Sequence, residues 1–124
     1  VIEMAVFVKF ETPKEVSDKA YALAEIARDS GKVKKGTNEV TKIVERGEAA
    51  IVIMATDVEP PEILAHMPAL GDEKNVPYVY VPSKEELGKA TGLEKPTASV
   101  AIVDAGNGKA QVDEIAAAVK DLKN

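Results

Sequence analysis

The sequence predicts an α/β fold, a three-layer α-β-α sandwich around a small mixed sheet of about four strands. Short apolar runs alternate along the chain with segments whose apolar residues recur at three- and four-residue spacing, as strands alternate with amphipathic helices. The apolar runs are continuous, which is typical of strands that helices cover on both faces. With 124 residues and 45% hydrophobic content the chain suits one domain, expected over residues 4–124, with residues 1–3 a remnant or extension.

The first predicted helix begins at Thr12. We expect Thr12 to cap it, Pro13 to occupy the first helical position and Glu15 to complete a capping box. Ser30-Gly31 should end this helix. Its apolar face consists of Val16, Ala20, Leu23, Ala24 and Ala27.

A short strand and a second helix are predicted next. Lys32-Val33-Lys34 suits a strand that leads into a glycine turn at Gly36. The helix after the turn should end at Arg46-Gly47, and its inward face consists of Val40, Ile43 and Val44. The apolar run from Ala49 to Ala55 is the candidate central strand.

Prolines divide the middle of the chain. Glu59-Pro60-Pro61 is expected to open a short helix that Pro68 closes, with apolar residues Ile63, Leu64 and Met67. The run from Val76 to Val81 is rich in β-branched and aromatic residues and predicts a buried strand. Its tyrosines alternate within that strand and are expected in the core.

Two helices and one strand complete the prediction. Ser83-Lys84-Glu85-Glu86 reads as a capping box before a helix that ends near Gly92. Val100, Ile102 and Val103 supply a strand, followed by a turn at Gly106-Asn107-Gly108. The last amphipathic helix carries Val112, Ile115, Ala116, Val119 and Leu122.

Composition excludes several kinds of site. The chain has no cysteine and one histidine, His66, so neither a cysteine-based nor a multi-histidine metal site can form. We therefore expect no metal and no cofactor. The absence of cysteine fits a reducing, cytoplasmic setting. No run reaches the ~18 apolar residues typical of a membrane span, so no membrane partner is expected.

The charge distribution favours a small nucleic-acid site. A net charge of -5 argues against a uniformly basic binder. Between residues 32 and 46, however, there are five basic residues and two acidic ones, which gives a local net charge of +3. The basic residues are Lys32, Lys34, Lys35, Lys42 and Arg46, and the acidic ones are Glu39 and Glu45.

The run Lys34-Lys35-Gly36-Thr37-Asn38-Glu39-Val40-Thr41-Lys42 has the chemistry of an RNA-reading helix start. Lysines can meet phosphates, glycine lets a backbone approach closely, and Asn38 and Glu39 can address base edges. A carboxylate accepts the imino and amino protons of guanine, and an amide both donates and accepts. The same pattern also fits an ordinary capped surface helix with solvated lysines.

Three other segments allow two interpretations. The loop Leu93-Glu94-Lys95-Pro96-Thr97-Ala98 could pack against unstacked bases, or could be a plain helix-to-strand connection. Gly106-Asn107-Gly108-Lys109 lacks the spacing of a phosphate-binding loop and is interpreted as a turn. His66, with Asp57, Glu59 and Glu62 nearby, could suggest acid-base chemistry, but no nucleophile motif accompanies it.

Several motifs in one order resemble a known family. After the Lys34 to Lys42 run come Val58-Glu59-Pro60, His66-Met67-Pro68, Asn75-Val76-Pro77-Tyr78 and Ser83-Lys84-Glu85-Glu86-Leu87-Gly88. Together they resemble the archaeal ribosomal protein L-seven-Ae family over nearly the whole chain from Met4. The resemblance implies a non-catalytic protein that binds the kink-turn, a sharply bent RNA element with tandem sheared G·A pairs.

The resemblance also implies which residues contact RNA. Asn38, Glu39 and Lys42 would read guanine edges, while Lys34, Lys35, Gly36 and Thr37 would hold the adjoining backbone. A second group would cover a base flipped out of the stack, namely Glu59, Ile63, Lys84, Leu93, Lys95 and Ala98. Thr37 stands where many relatives carry alanine, and Lys95 stands where some carry arginine.

The implied partners are ribonucleoprotein assemblies. The family serves the large ribosomal subunit, box C/D and H/ACA guide ribonucleoproteins and archaeal ribonuclease P, and so tRNA processing. The expected ligands are therefore kink-turns in rRNA, guide RNA and ribonuclease P RNA, with partner proteins beside them, and the free protein is expected to be a monomer. A small hydrolase using His66 and a nearby carboxylate, and a protein-only scaffold, are the alternatives.

Overall fold

A four-stranded mixed sheet and five α-helices form the described part, residues 12–58 and 64–123, of the computed structural model. Helices and strands alternate for most of the chain, as the sequence predicts. The strands are β1 (Lys32–Lys35), β2 (Ile51–Ala55), β3 (Tyr78–Val81) and β4 (Ser99–Asp104). The helices are α1 (Lys14–Ser30), α2 (Thr37–Glu45), α3 (Met67–Lys74), α4 (Lys84–Ala90) and α5 (Lys109–Lys123).

The strand order is β1-β4-β2-β3. Strands β2 and β3 are parallel, and β4 runs antiparallel to both β1 and β2. In the register, Lys35 lies opposite Val100, and Ala55 lies opposite Val81. The last residues of β1, β2 and β3 therefore meet the beginning of β4 at one end of the sheet.

Helices cover both faces of this sheet. Every residue of β2 is fully buried, which confirms its prediction as the central apolar strand. Helix α1 contacts α4 and α5, whereas α2 contacts α3. The predicted three-layer arrangement with a mixed sheet is confirmed. Tyr78 and Tyr80 are 2% and 1% exposed, so both belong to the core as expected.

Helix α1 begins differently from the prediction. Pro13 precedes the helix, with an extended backbone at φ -59° and ψ 151°, and no side chain caps the helix start. The carbonyl of Pro13 accepts the N–H groups of Val16 and Ser17 at 3.0 and 3.1 Å. The prediction of a Thr12 cap with a Glu15 capping box is therefore wrong, because a backbone carbonyl already holds these amides.

The role predicted for Pro68 is also wrong. Pro68 lies in the first turn of α3 and begins that helix instead of closing one. A proline without an N–H is tolerated there because the first-turn amides have no acceptor within the helix. Helix α3 ends at Lys74, and the residue that follows it, Asn75, has a left-handed φ of 58°. The predicted opening at Glu59-Pro60-Pro61, with Ile63, lies outside the described residues.

The cap of α4 combines residues distant in sequence. Ser83 Oγ accepts the Glu86 N–H at 3.2 Å, as the predicted capping box requires. The Ser83 N–H, however, donates to the hydroxyl of Tyr21 on α1 at 3.0 Å, and that hydroxyl lies 3.3 Å from the Ser83 carbonyl oxygen. Tyr21 thus joins α1 to the start of α4.

Tyr21 should make folding stability fall in alkaline solution. Burial is the main reason that the pKa of its hydroxyl lies above the ordinary value of 10.0. The unfolded chain therefore releases this proton at a lower pH than the folded protein does. The contribution of Tyr21 to the free energy of unfolding is complete below the ordinary pKa of tyrosine and declines as the pH rises above it. Urea denaturation between about pH 8 and pH 11 should show a steeper loss for the wild type than for Tyr21→Phe. If the free energy of unfolding falls equally with pH in both proteins, the burial of the Tyr21 hydroxyl does not affect alkaline stability.

The C-terminal part follows the prediction closely. Gly106–Gly108 forms one turn of 3-10 helix that leads directly into α5. Ile115 and Val119 of α5 are buried, and Val112 and Leu122 pack beside the core. In the described ranges, none of the helices has the length and apolar character that crossing a membrane requires.

Candidate nucleic-acid interface

Strand β1 carries the two lysines of the predicted RNA-binding run to the end of the sheet. Lys34 and Lys35 pair with Ala101 and Val100 of β4, and both are half-buried. The ammonium of Lys35 donates to the carbonyl of Thr91 at 3.3 Å. Since an ammonium has three donors, this bond leaves Lys35 able to meet a phosphate as well.

Gly36 connects β1 to α2 with a backbone that favours glycine. Its φ is 91°, a conformation that residues with a Cβ rarely adopt. The Gly36 N–H donates to the Ser99 carbonyl at 3.3 Å, and its own carbonyl accepts the Val40 N–H at 2.9 Å. A Cβ placed here would meet no heavy atom within 4 Å, so the outer side of the turn is open to a ligand.

Helix α2 presents its polar residues outward because its apolar ones are anchored. Val40, Ile43 and Val44 are buried, while Asn38 and Glu39 in the first turn are exposed. Lys42 and Glu45 are also exposed. The hydroxyl of Thr37 lies 3.4 Å from Ser99 Oγ, so it faces the protein. We call Lys34, Lys35, Gly36, Thr37, Asn38, Glu39 and Lys42 the helix-start surface.

The second predicted group is built on α4 and the loop that follows it. The Lys84 N–H donates to Asp57 Oδ1 at 2.9 Å, which fixes the start of α4. Leu93 and Ala98 are half-buried, and Lys95 is exposed. Ala98 packs beside the core, and its carbonyl accepts the Ala55 N–H at 3.0 Å. We call Lys84, Leu93, Lys95 and Ala98 the loop surface. Glu59 and Ile63 lie outside the described residues.

The fold brings the two surfaces to the same end of the sheet. Lys35 reaches across to Thr91, directly after α4. Ser99 follows the loop surface in sequence and lies beside Gly36 and Thr37. The arrangement provides five lysines, a helix start with exposed amide and carboxylate groups, and an apolar part of the loop next to them. Such a combination suits a ligand with phosphates, base edges and an unstacked base.

The chain is similar to known proteins over nearly its whole length. Residues 18–112 match the profile of the family described as the ribosomal protein L7Ae/L30e/S12e/Gadd45 family. The chain belongs to this family. It is 54% identical over 119 residues to the "Large ribosomal subunit protein eL8" of Methanobrevibacter smithii, covering 96% of this chain and 97% of that protein.

A solved structure extends the comparison to the fold. The structure titled "Giardia lamblia 15.5kD RNA binding protein" is similar to this chain with a TM-score of 0.86 and 33% sequence identity. The similarity covers 98% of this chain and 99% of that chain. The matched profile of the L7Ae/L30e/S12e/Gadd45 family includes all of β1, α2, α4 and the loop surface.

Sequence reasoning missed the buried residues that hold the loop surface. Thr91 is 2% exposed, and its hydroxyl contacts the Leu87 and Gly88 carbonyls at 3.2 and 2.9 Å. Thr97 is 6% exposed, and its hydroxyl donates to the Ser99 carbonyl at 3.1 Å. A Cβ at Gly88 would lie 2.1 Å from the Lys95 carbonyl oxygen. Small and hydroxyl residues around the loop were the available signal.

His66 has a structural contact in this member of the L7Ae/L30e/S12e/Gadd45 family. Its Nε2 lies 2.9 Å from Thr41 Oγ1, which joins the start of α3 to α2. Asp57, a carboxylate considered for the hydrolase alternative, accepts the Lys84 N–H. Within residues 12–58 and 64–123, histidine and acidic side chains form no group of three suited to a metal ion.

Proposed function

We propose that this protein binds kink-turn RNA and stabilises its bent form, as a non-catalytic protein component of the large ribosomal subunit. The observation that carries the proposal is the placement of the helix-start surface beside the loop surface. The names of the relatives support it, since one is a large-subunit ribosomal protein and another an RNA-binding protein. We extend the proposal to cytoplasmic box C/D and H/ACA guide ribonucleoproteins and ribonuclease P, where partner proteins would select the assembly.

In this proposal the helix-start surface reads the sheared G·A pairs. Sheared pairing leaves guanine edges accessible, and exposed Asn38, Glu39 and Lys42 supply complementary groups. Lys34 and Lys35 hold the adjoining phosphates, and the open side of Gly36 admits the RNA backbone. Leu93 and Ala98 of the loop surface cover a flipped base, with Glu59 and Ile63 proposed to assist them.

Binding would act on an RNA equilibrium. Phosphates crowd at the bend, so free RNA samples extended forms as well as the kinked one. A protein that binds the kinked form alone shifts the population towards it, by as much as its affinities for the two forms differ. No bond is made or broken in this mechanism, so the proposed role is architectural.

The deciding experiment is a titration at fixed salt with two RNAs. One RNA carries a kink-turn, and the other is identical except that Watson-Crick pairs replace its G·A pairs. Structure-specific recognition requires tight binding to the first and much weaker binding to the second. Equal, weak binding to the two RNAs would contradict the proposal, and the hydrolase and scaffold alternatives would then have to be tested.

Lys34 and Lys35 should contribute affinity without specificity. Lys34→Ala and Lys35→Ala are each expected to weaken binding to both RNAs by similar factors and to reduce the salt slope by about 1, because each loses one phosphate contact. The measurement is the dissociation constant at several salt concentrations. Lys120→Ala, an exposed lysine on α5, is the matched control and should leave the slope unchanged. Loss of discrimination by the Lys34 variant would contradict this assignment.

A further inference from the structure

One backbone carbonyl receives hydrogen bonds from the helix-start surface and from the loop that carries the loop surface. The Ser99 carbonyl accepts the Gly36 N–H of the helix-start surface at 3.3 Å. The same carbonyl accepts the Thr97 hydroxyl, from the loop between Lys95 and Ala98, at 3.1 Å. A carbonyl oxygen has two lone pairs, so it can hold both donors together. Ser99 is fully buried and lies opposite Met54 in the sheet, so this acceptor has a fixed position.

Thr97 connects this acceptor to Lys84 of the loop surface. Its N–H donates to the Lys84 carbonyl at 3.1 Å, while its hydroxyl is bound to Ser99. Thr97 is 6% exposed, so its side chain is directed into the protein and away from solvent. Through these two bonds it ties Lys84 on α4 to the first residue of β4.

We propose that Thr97 is a positioning residue, which fixes the loop surface relative to the helix-start surface through the Ser99 carbonyl. The inference rests on the proposed kink-turn recognition, because a rigid bent RNA can contact both surfaces only if their spacing matches it. A spacing that is set before binding reduces the ordering cost of association. Thr97 itself touches no RNA in this arrangement.

Three variants distinguish the effect of the Thr97 hydroxyl from the effect of side-chain packing and from the general effect of losing a buried hydroxyl. Thr97→Val keeps the shape of the side chain and removes the donor, whereas Thr97→Ser keeps the donor and removes a methyl group. Ser17→Ala is the matched control: Ser17 is 3% exposed, and its hydroxyl bonds to the Lys14 carbonyl within α1. The last change removes a buried hydroxyl but none of the contacts between the two surfaces.

Two measurements then test the proposal. Hydrogen exchange on the RNA-free protein reports whether the N–H groups of Leu93, Glu94, Lys95, Thr97 and Ala98 lose protection. Titration with the kink-turn RNA and its Watson-Crick control reports affinity and discrimination. We expect Thr97→Val to speed loop exchange and to weaken kink-turn binding about fivefold, the effect of one lost hydrogen bond. Thr97→Ser and Ser17→Ala should resemble the wild type in both measurements.

The failures of the two proposals are distinguishable. Suppose that the wild type discriminates between the two RNAs, and that Thr97→Val changes neither loop hydrogen exchange nor affinity for the kink-turn RNA. This result would overturn the positioning role and leave kink-turn recognition intact. Equal losses in Thr97→Val and Thr97→Ser would also overturn it, because packing and not the hydroxyl would then be responsible. If the wild type binds both RNAs equally, kink-turn recognition fails, and with it the role of Thr97 in it.

Discussion

Glu39→Ala is expected to weaken binding to the kink-turn RNA by about 1 to 3 kcal/mol and to relax discrimination against the Watson-Crick control. Glu39 is exposed in the first turn of α2, beside the open turn at Gly36. A carboxylate there can accept two guanine protons at once, and its loss leaves those donors without their partner. The measurement is the ratio of dissociation constants for the two RNAs.

Controls must separate base recognition from helix stability. An acidic residue in the first turn also stabilises α2 through the helix dipole, by about 0.3 to 1 kcal/mol. Glu39→Gln removes the charge but keeps a carbonyl acceptor, so it should lose less discrimination than Glu39→Ala. Glu45→Ala, exposed in the last turn of the same helix, should leave the ratio unchanged. Equal weakening of both RNAs by Glu39→Ala would refute its role in reading bases.

Gly88→Ala is expected to destabilise the protein and to displace the loop surface. The added Cβ would lie 2.1 Å from the Lys95 carbonyl oxygen and 3.1 Å from its carbon, both backbone atoms that a side-chain rotation cannot move. Overpacking of this kind typically costs about 1 to 3 kcal/mol. Relief requires the loop to move away from α4, so kink-turn binding should fall as well.

A second glycine provides the comparison. Gly47 has a φ of 69° and no heavy atom within 4 Å of an added Cβ. Gly47→Ala therefore introduces backbone strain of about 1 kcal/mol but no collision, and it leaves the loop surface in place. Denaturant unfolding and RNA titration of both variants give the test. If Gly88→Ala binds the kink-turn RNA as the wild type does, the contact with Lys95 does not set the loop position.

The sequence predicted the elements whose signal is local. The apolar run of β2 and the helical spacing of Val40, Ile43 and Val44 determined their burial, because periodicity reports directly on which side is covered. Helix starts were less predictable. At α1 the Pro13 carbonyl binds the first amides, and at α4 Tyr21 takes the amide that a capping box would use. Both depend on backbone path or tertiary contact, which residue type alone does not encode.

In the candidate site, too, features with a local sequence signal were predictable and contacts between distant residues were not. Exposure of Asn38, Lys42 and Glu45 followed from the apolar face of α2 and was predictable. The bond from Lys35 to Thr91 was not, because it joins residues far apart in sequence. Pro68 was misassigned for a different reason, since proline both ends helices and begins them, and its position relative to the next apolar residues does not decide between the two.

The strand order has a consequence for biosynthesis. Strand β1 is made before its partner in the described sheet, β4, and three α-helices and two strands of the described part lie between them in the chain. Pairing over such a long separation is slow because closing the intervening loop costs entropy before any contact forms. A nascent chain that lacks β4 has no Ser99 carbonyl to hold the Gly36 N–H. Kink-turn binding should therefore require that β4 has been made, which keeps shorter nascent chains from occupying RNA sites during translation.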